Sequence, residues 1–231
     1  MVMFWVAILA ISILLYVLLD GFDLGVGILF GLTPDEPRRR AMLSTVAPIW
    51  DGNETWLVVA GVVLWGAFPV VYSTLLSAFY LPLLLMLAGL ILRGVAFEFR
   101  YKTERLRWIW DASFAGGSLV AAFIQGAAVG ALVEGLPISN GRYVGGTFGW
   151  FSPFAVLCGV GLCIGYSLLG ACWLVKKSEG EVREGKRSSI LPAALSGDWA
   201  ARLSADRLLR GLQLYFRVRN LLHLSAASRG P

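Results

Sequence analysis

Long runs without a charged side chain define the elements of the first 175 residues. Val2 to Leu19 is an 18-residue run with no charge, and Thr55 to Leu92 is a run of 38. Two more follow, Ala112 to Val133 and Ser152 to Val175. An α-helix needs about 20 apolar residues to cross ~30 Å of hydrocarbon. The Thr55 to Leu92 run would be about 57 Å long as one helix, too long for one crossing and enough for two. Its turn is expected around Pro69 to Thr74. The pattern therefore predicts five spans. The first starts at Val2 and reaches Leu32, with Asp20 and Asp23 interrupting its inner half. The second and third come from the long run, and the fourth from Ala112 to Val133. The fifth follows the Gly-rich and aromatic segment Gly145 to Trp150, with Pro153 in its first turn. The expected fold class is all-α, a polytopic membrane helix bundle over residues 1–175.

The flanks of the spans predict their orientation. No basic region precedes Val2 and no small-residue cleavage pattern follows Leu19, so the first run reads as a retained span and not a signal peptide. Arg38, Arg39 and Arg40 follow span one, Arg100, Lys102, Arg105 and Arg107 follow span three, and Lys176 and Lys177 follow span five. All three groups fall on one side, whereas the opposite side carries Arg142 alone. The basic loops are thus expected in the cytoplasm, with the N-terminus outside and the C-terminus cytoplasmic.

Beyond Val175 no run is long enough to cross again. Lys176 to Asp198 reads as a polar linker. In Trp199 to Leu224 the leucines and arginines scatter around a helix instead of forming one apolar face. Residues 176–231 are expected to form an irregular or weakly helical basic tail, of the kind an out-of-frame reading would also produce.

Composition narrows the class. With 57% hydrophobic and 15% charged residues, the chain is too apolar for a soluble domain of 231 residues. Net charge is +5, but residues 1–175 carry 9 basic and 10 acidic side chains while residues 176–231 carry 11 and 5. The basic character is therefore a property of the tail, and no nucleic-acid partner is expected. The three cysteines, Cys158, Cys163 and Cys172, lie in one apolar run without metal-ligand spacing, and read as small packing residues. His223, in the tail, is the sole histidine, so this chain cannot supply a bis-histidine haem site. No P-loop or dinucleotide fingerprint occurs.

Acidic side chains inside spans are costly and mark candidate functional sites. They come in two pairs at helical spacing: Asp20 with Asp23, and Asp51 with Glu54. On the predicted topology both pairs lie toward the cytoplasmic ends of spans one and two, so four carboxylates can converge there. Protonatable carboxylates in that position suit proton uptake. The competing reading is structural: Asp51 and Asn53 as N-cap residues, Glu54 as a first-turn acid, and Asp20-Gly21 as a local break. Arg93, at the end of span three, is expected to snorkel to the interface more readily than to pair with these acids. Glu98 and Asp111 are expected in surface roles, and Trp56, Trp65, Trp108, Trp110, Trp150 and Trp173 mostly at interfacial belts.

These two acidic segments carry a resemblance. Asp20-Gly-Phe-Asp-Leu-Gly-Val-Gly27, followed by Ala47-Pro-Ile-Trp-Asp-Gly-Asn-Glu-Thr-Trp-Leu57, resembles the hallmark pair of the cytochrome bd oxidase subunit II family in order and spacing. Ala67-Phe-Pro, Ser77-Ala-Phe-Tyr80, Leu92-Arg-Gly-Val-Ala-Phe-Glu-Phe-Arg100 and Trp110-Asp111 extend it over about residues 3–178. The resemblance implies a non-haem-ligating subunit of a respiratory quinol:oxygen oxidoreductase in the bacterial inner membrane. Haem b, haem d and the main quinol site would belong to the larger partner, subunit I. This chain would meet that partner as a heterodimer, together with membrane lipid, the quinol pool and a structural quinone. The acid of the Trp-Asp-Gly-Asn motif, here Asp51, is the family's candidate for leading protons toward the oxygen-reducing haem. Asp20 and Asp23 match the other motif, while Glu54 stands where an acid is not general in the family. Family members resemble two four-helix bundles plus a peripheral helix, about nine spans, of which this chain would supply the first bundle. A chain truncated or frameshifted after about residue 178 is expected on that comparison. The contact with the partner is expected through apolar faces such as the Gly-rich run Gly159 to Gly170. An inactive remnant and a stand-alone proton or ion transporter are the alternatives, but a transporter would call for an internal repeat that the sequence does not show.

Overall fold

The computed structural model describes residues 1–103, 105–139 and 142–177. The expected tail, beyond Lys177, lies outside the described residues. The chain forms α1 (Val2–Gly31), α2 (Glu36–Val46), α3 (Trp50–Ala67), α4 (Pro69–Phe99), α5 (Arg107–Glu134), a two-stranded hairpin of β1 (Ile138–Ser139) and β2 (Arg142–Tyr143), and α6 (Pro153–Lys177).

Local chemistry sets the ends of these helices. Pro34 lies just beyond α1, and Thr33 Oγ1 donates to the Leu29 carbonyl there. Phe68 takes a non-helical conformation (φ −133°, ψ 58°) ahead of Pro69, and this single residue divides the 38-residue run into α3 and α4. Gly135 ends α5 at φ 92°, a backbone conformation that favours glycine. Ser152 caps α6, its Oγ accepting the Ala155 N–H at 2.9 Å. Inside α4, Pro82 removes a backbone donor, and the helix kinks at Phe79 (φ −115°, ψ 17°).

The five expected spans correspond to α1, α3, α4, α5 and α6. Four of them, α1, α4, α5 and α6, are long and apolar enough to cross a membrane. The fifth, α3, has 18 residues, and its first turn carries Asp51, Asn53 and Glu54, which lower its apolar character. Asp20 and Asp23 do not interrupt α1, which is continuous through Gly31. The backbone stays helical there because other helices enclose both carboxylates.

The second half of α1 is the centre of the bundle: every residue from Asp20 to Gly27 is buried, with α3, α5 and α6 packed around it. Glycines allow that enclosure. A methyl group at Gly25 would collide with the Tyr166 carbonyl, and one at Gly170 would lie 2.5 Å from Gly25 backbone. The two helices therefore cross with their backbones in contact. Gly159 likewise lies against Phe123 of α5. Both ends of the Gly-rich run are thus used inside this chain, whereas a methyl group at Gly161 or Gly165 within it would meet no neighbouring atoms. At the end of the bundle where α1, α4 and α6 finish, Phe22, Phe30, Val46, Phe97 and Phe114 form one apolar cluster with Leu174.

Candidate functional site

The centre of α1 holds the ionic groups that the bundle encloses. Asp20, Asp23 and Arg93 are each 0% exposed. Arg93 reaches across from α4, its Nη1 donating to Asp20 Oδ1 at 3.0 Å and its Nη2 standing 4.0 Å from Asp23 Oδ2. The expectation that Arg93 snorkels is therefore corrected. Gly89, one turn earlier, meets Gly117 of α5 backbone to backbone, and α4 approaches closely enough for the guanidinium to point inward. An isolated buried charge is costly, and a partner of opposite sign offsets part of that cost.

Asn53 completes the cluster. Its Nδ2 donates to Asp23 Oδ2 at 2.7 Å and, at 3.4 Å, to the Leu19 carbonyl. It is not an N-cap; Ile49 occupies that position without a side-chain cap. Residues 51 and 53 stand about 200° apart around a helix, so with Asn53 turned into α1 the Asp51 side chain points outward. Asp51 is exposed in the first turn of α3. Glu54 is half-buried and within electrostatic range of Arg93 and Asp20.

A groove of about 420 Å³ runs between α3 and α4, and Asp51, Glu54, Thr55, Leu90 and Gly94 line it. The acids thus form a series of decreasing access: Asp51 exposed, Glu54 half-buried on the groove, Asp23 and Asp20 enclosed. The cluster is incompletely bonded, since Asp20 Oδ2, Asp23 Oδ1, Arg93 Nε and Arg93 Nη2 have no hydrogen-bond partner. Each such group bears a desolvation cost, and internal water is the usual remedy where space allows.

A second ionic network lies outside the spans. Arg100 Nη2 donates to both Glu36 oxygens, at 2.8 and 3.0 Å, and its Nε donates to Asp111 Oδ1. Arg39 Nη1 donates to Asp111 Oδ2 at 2.9 Å, and the Arg39 and Arg100 guanidinium groups both lie over the Phe30 ring. Burial opposes ionisation of Glu36, but hydrogen bonds from Arg40 and Arg100 outweigh it and hold this carboxyl below its ordinary value. Asp111 is thus tied to α2 and to the α4 terminus, beyond the surface role expected of it. Glu98 pairs with Lys102 in an exposed position.

Arg93 and Asn53 are the site residues that sequence reasoning missed. The available signal for Arg93 was a lone charge at the end of an otherwise apolar span, and for Asn53 its position between two acids. Among the tryptophans, Trp65 and Trp108 are exposed as expected at an interface, whereas Trp173 stacks on Phe22 and Trp150 is buried. The three thiols are free, and no group of three or more metal-ligating side chains occurs among the described residues.

These features define a multi-pass membrane helix bundle with an enclosed carboxylate–guanidinium cluster beside an open groove. The sequence matches the family described as cytochrome bd terminal oxidase subunit II over residues 1–201. The chain belongs to that family. It is similar to the probable cytochrome oxidase subunit 2 of Haemophilus influenzae, with 36% identity over 84% of this chain and 56% of the relative. It is 33% identical to the cytochrome bd-I ubiquinol oxidase subunit 2 of Escherichia coli K12, over 97% of this chain and 61% of that protein. The cytochrome bd ubiquinol oxidase subunit 2 of Bacillus subtilis is 39% identical over 58% of this chain. The chain therefore spans about three-fifths of the length of the first two relatives. The family match also runs past residue 178 into the basic segment.

Proposed function

We propose that this chain is the non-haem-ligating subunit of a membrane quinol oxidase and lines a proton-uptake path toward a larger haem-bearing partner. The partner, subunit I, carries haem b and haem d and reduces dioxygen to water with electrons from quinol. The relatives' names, two of which specify ubiquinol oxidases, support the reaction class. The complex lies in the bacterial inner membrane with the basic loops in the cytoplasm, as the positive-inside pattern argues.

The observation that carries the proton-path reading is the graded series of acids. Asp51 meets water, Glu54 lines the groove, and Asp23 and Asp20 hold charge in the interior beside Arg93. A proton entering at Asp51 passes along carboxylates of decreasing solvent access. Arg93 keeps the interior pair near neutrality as the proton arrives and leaves. Asn53 fixes Asp23 so that one oxygen stays available for exchange.

The test replaces one acid at a time, Asp51→Asn, Glu54→Gln, Asp23→Asn and Asp20→Asn, in the complex purified with its haem partner. Haem content reports assembly and oxygen consumption reports turnover. Loss of about tenfold or more in turnover at full haem content is expected for the enclosed acids. Parental turnover in all four variants would overturn the proton-path reading.

A further inference from the structure

Asp20 stands on a longer polar stripe than the ion cluster alone. Ser12, Tyr16, Asp20 and Asp23 follow one another at helical spacing on α1, and all four are buried. Tyr16 belongs to a three-helix chain of hydrogen bonds. Tyr166 of α6 donates through its hydroxyl to Gln125 Oε1 at 2.9 Å, and Gln125 Nε2 of α5 donates to the Tyr16 hydroxyl at 2.7 Å. The Tyr166 ring rests against Gly21, where a methyl group would lie 2.7 Å from it, so this chain runs beside Asp20. Both phenols interact electrostatically with Asp20.

The direction of donation matters. Gln125 donates a hydrogen bond to the Tyr16 oxygen, so the Tyr16 hydroxyl acts as an acceptor and keeps its own hydrogen free. That hydrogen has no acceptor among the described residues. Asp20 Oδ2, one turn along the same helix face, is a buried acceptor without a donor. We infer that Tyr16 is a positioning residue for Asp20: the Gln125–Tyr166 clamp leaves its hydroxyl hydrogen free to reach Asp20 Oδ2 through one internal water.

The same chain sets an inner end to the path. A carboxylate takes up and releases a proton at oxygen, whereas a carboxamide cannot pass on a net proton without becoming an imidic acid. Gln125 therefore blocks transfer from Asp20 through Tyr16 to Tyr166. Among the described residues, Asp20 is then the last acid on the path before the Tyr16–Gln125–Tyr166 chain. The groups that face Asp20 are Tyr16 and Asp23 of α1, Glu54 of α3, Arg93 of α4 and Tyr166 of α6. Of these, Arg93 donates to Asp20 in the structure, at 3.0 Å.

This inference rests on the proton-path reading, and the experiment separates the two. Turnover is followed against pH in the haem-bearing complex for the parent, Asp20→Asn, Tyr16→Phe and Gln125→Met, with haem content confirming assembly. Tyr16→Phe removes the hydroxyl that the proposal sets toward the Asp20 carboxylate. The alkaline limb of the Tyr16→Phe profile should move up by about one pH unit, with the quinol KM unchanged. Gln125→Met should move it the same way by less, because the hydroxyl survives and loses only its clamp. The shift should vanish in the Asp20→Asn background. A Tyr16→Phe profile that superimposes on the parent, while Asp20→Asn is slow, overturns the positioning role and leaves the proton path standing. Parental turnover in Asp20→Asn alone overturns the positioning role, and parental turnover in all four acid variants overturns the proton path as well.

Discussion

The protein has two ionic networks built from the same residue types, and they differ in how fully their acceptors are bonded. At the outer network, both oxygens of Glu36 and both of Asp111 accept from arginine. At the inner one, each aspartate has one oxygen bonded and one free, and Arg93 leaves two of its nitrogens unpartnered. The outer network joins α2 to the ends of α4 and α5, and its saturated carboxylates suit that structural task, although Arg107 Nε there is also unpartnered. The inner network retains spare capacity in a place where it is most costly, which suits groups that exchange protons. Incomplete bonding, more than the presence of charge, distinguishes the candidate site from the scaffold.

The comparison can be broken most directly at Arg93. Arg93→Leu leaves two enclosed carboxylates without a counter-charge and should destabilise the detergent-solubilised protein by about 3–5 kcal/mol in thermal unfolding. Adding Asp20→Asn and Asp23→Asn should recover much of that loss; a single variant that melts like the parent would show that the cluster is hydrated and not enclosed. Gly25→Val forces α1 from the Tyr166 backbone and opens the seal over the cluster. A loss of about 1–3 kcal/mol is expected, with new solvent exchange at the α1 amides. Asn53→Leu removes a hydrogen bond to a charged group and should cost about 2 kcal/mol.

Substitution in the outer network should matter less. Arg100 is itself buried, but its partners are part exposed and Arg39, Arg40 and Arg107 remain to serve Glu36 and Asp111, so Arg100→Gln should cost about 2 kcal/mol. Glu36 is held below its ordinary value of 4.5, so its contribution is complete above that pH and is lost as pH falls through the folded-state value. Unfolding followed from pH 6 to about pH 3 should show that loss in the parent and much less of it in Glu36→Gln. Equal acid sensitivity in the two proteins would place the dependence elsewhere. Lys102→Ala, at an exposed pair, should change unfolding by less than about 0.5 kcal/mol.

Much of the architecture was legible from run lengths and breakers. The charge-free segments located the long helices among the described residues, whereas the turn expected over Pro69 to Thr74 falls just ahead of that range, at Phe68. The acids were legible as candidates because charge in an apolar run is rare. Their separate environments were not, since Asp51 and Asp23 look alike in sequence and differ in which way their helices face. Asn53 and Gln125 carry no charge and interrupt no span, so nothing in the hydrophobic pattern marks them.

The sequence by itself determined that this is a membrane helix bundle of the bd-oxidase subunit II family, because length, apolarity and two long acidic motifs are local properties of the chain. The tertiary structure decided that Arg93 turns inward, that Asn53 holds Asp23, and that Tyr16, Gln125 and Tyr166 meet beside Asp20. Those contacts join residues 30 to 109 positions apart. They exist because glycines at the helix crossings bring the backbones together, and helix spacing is set by packing between segments rather than by any one of them.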